Sequence, residues 1–148
     1  MIDIDDNSEI YKKDSYKEAV IKSNKAFLSF LLLEQLPFTI IVHSNVLEAN
    51  PPIPKSVIEF DKLVRLDIAN YTLEHAIIEN NALIIQTAFG IENFESTLTI
   101  PLESIFQIAI KQDLIAINYY EPQPKEPNSL DVFLNNPANL EILKRRKK

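Results

Sequence analysis

The chain of 148 residues contains no cysteine and no tryptophan, a single glycine and two histidines. Without cysteine there is no disulfide, no thiolate nucleophile and no zinc site built on sulfur, which fits a reducing compartment. The single glycine, Gly90, excludes glycine-rich phosphate loops and the dinucleotide-binding fingerprint. His43 and His75 are the whole supply of imidazole, and the carboxylates lack an obvious metal-ligand spacing. We therefore predict that the protein is not an enzyme and has no catalytic residue, no cofactor and no metal site.

Charge is distributed unevenly along the chain. The formal net charge is −6, and the five basic residues 144–148 contribute +5, which leaves −11 on everything before them. A body this acidic repels phosphate backbones, so we expect no extended binding of nucleic acid by the domain. The acidic start at residues 1–6 lacks the basic stretch of a secretory signal.

The most apolar window covers residues 26–42, and Ser29, Glu34 and Pro37 are among the residues that interrupt it. A membrane-spanning helix needs about 20 consecutive, mostly apolar residues, so this window predicts a helix followed by a strand. We expect a cytoplasmic protein without membrane contact.

The first part of the chain predicts one helix. Residues 1–13 are polar and acidic, and we expect them to be disordered. Ser15 and Glu18 match a capping box, apolar residues follow at near-helical spacing, and Pro37 cannot continue a helix. A helix is therefore predicted over residues 14–36. Its second half is apolar on more than one face, which leaves two interpretations open: burial in its own domain, or contact with a second copy.

Beyond residue 37 the apolar residues alternate with a period of two, which is typical of strands. In one such strand Val64, Leu66 and Ile68 share a face. The alternation predicts a mainly β domain over residues 37–120, either a small antiparallel sandwich or a partly open barrel. Strands are predicted at residues 38–43, 63–69, 82–89, 97–100, 105–110 and 114–120, with a turn at 79–81 and a turn or single helical turn at 101–104.

The last part of the chain predicts a flexible tether over residues 121–148, because residues 121–128 hold three prolines and no large apolar side chain. Near its end, Leu140, Ile142 and Leu143 directly precede the basic residues. The basic end has three interpretations: a solubilising terminus, a contact for RNA, or a contact for a protein. Because an apolar trio followed by Lys144 resembles a short docking peptide, we favour docking on a protein and keep an RNA-binding role as the alternative.

Six short blocks of sequence together indicate a family. They are Ala26-Phe27, Leu31-Leu32, Gln35-Leu36, Leu66-Asp67-Ile68-Ala69, Gln86-Thr87-Ala88-Phe89-Gly90 and Leu98-Thr99-Ile100-Pro101-Leu102-Glu103-Ser104-Ile105. In their order and spacing they resemble the SspB family of proteolysis adaptors, and the likeness covers residues 26–120. The resemblance implies a homodimer joined through the N-terminal helix, with each subunit a small β-sandwich of Sm-like shape.

Adaptors of this family hold the ssrA degradation tag in a surface groove and deliver the tagged polypeptide to the ClpXP protease. Two sets of residues are carried over to this chain. The groove residues are Ile68, Ala69, Gln86, Thr87, Ala88 and Phe89, and the residues that dock on ClpX are Leu140, Ile142, Leu143 and Lys144. Thr87 is bulkier than the residue that the family commonly has there, and Ala88 replaces an arginine. Ile68 and Phe89 have a second interpretation as ordinary core residues.

Overall fold

A computed structural model describes residues 7–124 of the chain. Over these described residues the domain is mainly β, with eight strands in two four-stranded antiparallel sheets and one long helix near the N-terminus. This confirms the predicted fold class, and the two separate sheets correspond to the sandwich. Residues 125–148, which include most of the predicted tether, lie outside the described part.

Three α-helices occur within residues 7–124: α1 (Asn7–Tyr11), α2 (Asp14–Leu33) and α3 (Asn70–Glu74). None of these helices combines the length and hydropathy that crossing a membrane requires. The prediction of disorder over residues 1–13 is wrong for α1. The reason is an aromatic cluster, since the Tyr11 ring centre lies 5.1 Å from that of Tyr16 and 5.4 Å from that of Tyr119.

The ends of α2 differ from the prediction at both sides. The helix begins at Asp14 after Lys13, and no side chain caps it, so the capping box assigned to Ser15 is wrong. It ends at Leu33 rather than at residue 36, because Gln35 adopts a left-handed φ of 52°. The Leu36 N–H then donates to the Leu31 carbonyl at 3.0 Å, which is the hydrogen bond of a Schellman ending.

The first sheet has the strand order β3-β1-β7-β8, and the second has the order β2-β6-β5-β4. The strands are β1 (Phe38–His43), β2 (Glu48–Asn50), β3 (Leu63–Ile68), β4 (Ile77–Glu79), β5 (Ala82–Phe89), β6 (Phe94–Pro101), β7 (Ile105–Ile110) and β8 (Asp113–Ile117). The predictions for β1, β5 and β7 are confirmed to the residue. The predicted strand at 114–120 is instead Asp113–Ile117, and β6 extends beyond the predicted 97–100 at both ends. Strands β2 and β4 and helix α3 were not predicted, because three to five residues are too few to show a period.

The core lies between the two sheets and under α2. Val64, Leu66 and Ile68 are all buried, as their shared face predicts. The side chain of Asn24, 3% exposed on α2, donates to the carbonyls of Leu102 at 2.8 Å and Ile105 at 3.1 Å. These bonds attach the helix to the start of the single helical turn Leu102–Ser104 and to the first residue of β7. The helical turn confirms the turn predicted at residues 101–104.

Candidate functional site

A cavity of about 450 Å³ opens at one end of the second sheet. Strands β5 and β6 run through it, with the end of β2 on one side and α3 on the other. Its lining residues are Asn50, Pro51, Tyr71, Thr72, Gln86, Thr87, Ala88, Glu95, Ser96 and Thr97.

The pairing of β5 with β6 sets which lining residues share a face. Gln86 lies opposite Thr97 and Ala88 opposite Glu95, on the face that points away from the core. The hairpin between these strands turns at Gly90, whose φ is +74°. This positive φ is what favours glycine at the turn, and a Cβ here would also lie 3.0 Å from Val57 Cγ1, a tight contact that would displace the valine side chain slightly.

Helix α3 attaches to β5 through two side chains. The Tyr71 hydroxyl donates to Gln86 Oε1 at 3.1 Å, and the Thr72 hydroxyl donates to the Gln86 carbonyl at 3.1 Å. The Tyr71 ring stacks on His75 with 4.1 Å between ring centres, while 58% of the residue remains exposed. An aromatic rim with a free surface therefore borders the cavity.

The segment after β2 attaches to the other side. The Ser96 hydroxyl on β6 donates to the Pro51 carbonyl at 2.8 Å, and Ser96 is only 4% exposed. Pro51 and Asn50 themselves are exposed. This partly buried hydrogen bond fixes the position of the Pro51 segment relative to β6.

One edge of β5 is open beside the cavity. Strand β4 pairs only with the first three residues of β5, and within residues 7–124 no strand pairs with this edge beyond Ile84. Asn80 and Asn81 have φ of 51° and 58°, as in a two-residue type I′ turn, which confirms the turn predicted at 79–81. Such a turn closes on a hydrogen-bonded pair, here Glu79 with Ala82.

Main-chain groups on a strand alternate between its two sides, so every second residue from Ala82 points to the edge that β4 occupies. Gln86 and Ala88 therefore direct their N–H and C=O groups to the open half of this edge. The Gln86 carbonyl already accepts the Thr72 hydroxyl. The main-chain groups of Ala88 have no strand partner among the described residues, and they are available to an added strand.

The groove residues implied by the resemblance separate into two groups. Gln86, Thr87 and Ala88 come together in the cavity lining. Ile68 is 1% exposed in the core, so its side chain does not line the cavity. Phe89 packs against the core with its ring edge-on to Phe60 at 5.6 Å, and it does not line the cavity either. For these two residues the structure agrees with the core interpretation.

The remaining groove residue, Ala69, immediately precedes α3 and is half-buried. Seven lining residues were missed from the sequence: Asn50, Pro51, Tyr71, Thr72, Glu95, Ser96 and Thr97. Glu95, Ser96 and Thr97 could have been identified from the sequence, because pairing β5 with the next strand places them opposite Ala88, Thr87 and Gln86. Tyr71 and Thr72 lie on a five-residue helix that has no periodic signal.

The predicted docking residues Leu140, Ile142, Leu143 and Lys144 lie outside the described residues. The described chain leaves the domain at Pro122, which is buried and whose carbonyl accepts a hydrogen bond from the Asn45 amide at 2.9 Å. The predicted tether over 121–148 is therefore attached to the domain at its start, because this hydrogen bond and the burial of Pro122 fix residues 121–122.

Helix α2, which the sequence predicted to be apolar on more than one face, has one apolar face buried in its own domain and another exposed. Leu28 and Leu31 are fully buried against the domain. Phe27, Phe30 and Leu33, spaced three residues apart, are 38%, 49% and 83% exposed. These three residues, the α2 stripe, form an apolar surface that is accessible in the part of the chain described.

The electrostatics of the cavity are simple, because Glu95 is the one charged residue among its described lining residues. Two perturbed groups lie elsewhere: burial lowers the pKa of His43, and a hydrogen bond from Thr39 lowers the pKa of Asp67. Between residues 7 and 124 no three histidine, aspartate or glutamate side chains are grouped so that they could hold a metal ion. The cavity thus presents hydrogen-bonding groups, an aromatic rim and one carboxylate.

Comparison with models of protein families gives no match to this chain, and comparison with curated proteins gives none either. The adaptor function implied by the sequence blocks therefore stays a prediction, to be argued from the geometry above.

Proposed function

We propose that the protein is a proteolysis adaptor that binds ssrA-type degradation tags as extended peptides along the open edge of β5. The tagged polypeptide is then delivered to the ClpXP protease through docking of Leu140, Ile142, Leu143 and Lys144 on ClpX. This role places the protein in the cytoplasm. The observation that carries the proposal is the cavity of about 450 Å³ beside an unpaired half-strand.

An extended peptide fits this edge for a physical reason. Peptides commonly bind by adding a strand to an exposed sheet edge, where main-chain hydrogen bonds give affinity and pockets for alternate side chains give selectivity. Ala88 offers the main-chain groups, and the cavity offers the pocket. A volume of about 450 Å³ lies within the range of about 300–1,000 Å³ that is usual for ligand sites.

The tether completes the proposal through effective concentration. A tag and a docking peptide that each bind modestly act together when a linker holds both on one molecule. The attachment at Pro122 gives this linker a fixed starting point on the domain. No catalytic step is needed, since the adaptor raises the local concentration of the substrate at the protease.

Tag binding is tested by fluorescence anisotropy with a labelled ssrA-type peptide and the full chain. We expect saturable binding, and we expect Thr87→Gln to weaken it at least about fivefold, since a longer side chain overfills the cavity. Thr99→Gln, on β6 outside the lining, is the matched control and leaves the affinity unchanged. Absence of binding by the unchanged chain would remove the tag-binding claim and leave the fold unaffected.

Delivery is the second arm of the same test, measured as degradation of a tagged reporter by ClpXP. A chain that lacks residues 139–148 is expected to bind the peptide as before and to lose delivery. Delivery that survives this deletion would show that Leu140, Ile142 and Leu143 do not dock on the protease.

A further inference from the structure

Glu95 places a negative charge in the cavity lining. It is exposed, and none of the lining residues that the structure describes is Lys, Arg or His. Among the described residues the ion pairs are Lys12 with Glu9 and Arg65 with Asp67, so Glu95 takes part in neither. Its carboxylate is free to interact with a ligand.

The position of Glu95 relative to the open edge limits which ligand group it meets. Glu95 lies directly opposite Ala88, and both side chains project on the same face. A peptide strand added beside Ala88 would lie about 4.8 Å from β5 and about 9.6 Å from β6. Because Ala88 ends in a methyl group, a long side chain of the peptide can pass over it and reach the carboxylate.

We propose that Glu95 selects peptides with Lys or Arg at the position beside Ala88 and disfavours those with Asp or Glu there. This inference rests on the proposed function only in taking the ligand to be an extended peptide at the β5 edge. A short side chain cannot span the distance over Ala88, and a long neutral one gains a hydrogen bond but no charge attraction. Glu95 is thus a specificity residue and does not supply the main-chain affinity.

The charge of the whole chain acts in the same direction. Residues before the basic end carry a net charge of −11, which attracts cationic segments and repels acidic ones during encounter. That general attraction is independent of position along a peptide. Only a contact with Glu95 makes one position more selective than the others, and this difference separates the two effects.

The test is an array of matched hexapeptides that differ in having Lys, Gln or Glu at one position, probed with the labelled full chain. At the selective position we expect Lys peptides to bind about three- to tenfold better than Glu peptides at about 50 mM salt. The preference should shrink at about 500 mM salt, because screening weakens exposed charge pairs. Glu95→Gln is expected to remove it, while Glu92→Gln, in the hairpin loop outside the lining, retains it.

Two results overturn the inference: equal binding of the chain to Lys and Glu peptides, or a preference for Lys peptides that persists in the Glu95→Gln variant. A chain ending at residue 138 is measured in parallel, since residues 144–148 are a competing source of cations. A preference that increases on this deletion supports the cation site and identifies the chain's own end as a competitor. If the chain binds the array peptides without a charge preference, only the role of Glu95 is overturned. If the charge preference is present but the ssrA-type peptide does not bind, only the proposal that the ligand is an ssrA-type tag is overturned.

Discussion

At the scale of single residues, asparagine shapes much of the backbone around the cavity. Among residues 7–124, four of the six non-glycine residues with positive φ are asparagines, Asn70, Asn80, Asn81 and Asn93. Asparagine tolerates the left-handed region better than most residues, because its short polar side chain bonds locally. Asn70 begins α3, and the other three turn the hairpins before and after β5, so the turns that define the site depend on this residue type.

His43 provides a prediction at this scale. Its Nε2 is buried without a hydrogen-bond partner among the described residues, and burial lowers its pKa below the ordinary 6.5, against a smaller opposite effect of Glu121. The unfolded chain therefore binds a proton more readily than the folded one as the pH falls through 6.5. The stability contributed by the neutral His43 side chain is fully present above pH 6.5 and is lost as the pH falls below that value.

This decrease is measured as the urea midpoint between about pH 7 and about pH 5. His43→Phe is expected to flatten the dependence, since a phenyl ring keeps the contact with Phe106 without titrating. His75→Phe, on the exposed surface, is the matched control and keeps the slope. An equal slope in His43→Phe and the unchanged chain would contradict the assignment.

At the scale of elements, the shortness of β4 creates the site. Its three residues pair with the first part of β5 and leave the remainder of that edge open. Beyond β4, the Thr72 hydroxyl of helix α3 bonds the carbonyl of Gln86 on this edge, and α3 does not extend as far as Ala88. A longer β4 would have occupied the edge, so the availability of Ala88 depends on where one strand ends.

The attachment of α2 gives a prediction for elements. Asn24→Ala removes the hydrogen bonds to the carbonyls of Leu102 and Ile105 and leaves the Leu102 carbonyl without its bond from Asn24. We expect a loss of about 2–3 kcal/mol in the free energy of unfolding, since a lost partner also leaves a desolvated acceptor. Ser23→Ala, exposed on the same turn of the helix, is the control and should change stability by less than about 0.5 kcal/mol. Equal effects of the two substitutions in chemical denaturation would contradict this role of Asn24.

At the scale of the whole molecule, the α2 stripe of Phe27, Phe30 and Leu33 is an apolar surface beside the buried face of the same helix. Contiguous exposed apolar surface commonly marks a contact between proteins. We propose that this stripe joins two copies of the chain, as the resemblance to the adaptor family implies. Each dimer would then carry two cavities and two tethers.

Phe30→Glu tests this assembly, because a carboxylate in an apolar interface is desolvated without a partner. We expect the unchanged chain to be a dimer in light scattering at micromolar concentration and the variant to be a monomer. Lys25→Glu, exposed on the same helix away from the stripe, adds at least as much negative charge and should leave the dimer intact. A monomeric unchanged chain at this concentration would rule out the proposed interface.

The amino-acid sequence alone determined the mainly β class, the limits of β1, β5 and β7, and the turns at 79–81 and 101–104. These features follow from the alternation of apolar residues and from turn residues, which act over a few neighbouring positions. The sequence also placed Gln86, Thr87 and Ala88 in one site through the resemblance. It could not separate them from Ile68 and Phe89, because alternation shows which residues share a face but not what covers that face.

Only the tertiary structure decided the site itself. The cavity forms where β4 stops early, α3 attaches to Gln86 and the Pro51 segment attaches to Ser96. The last two contacts join residues that are 14 and 45 positions apart in the chain. The same packing placed Ile68 in the core and Glu95 beside Ala88. Such contacts depend on how elements meet in space, and no local pattern of residues encodes them.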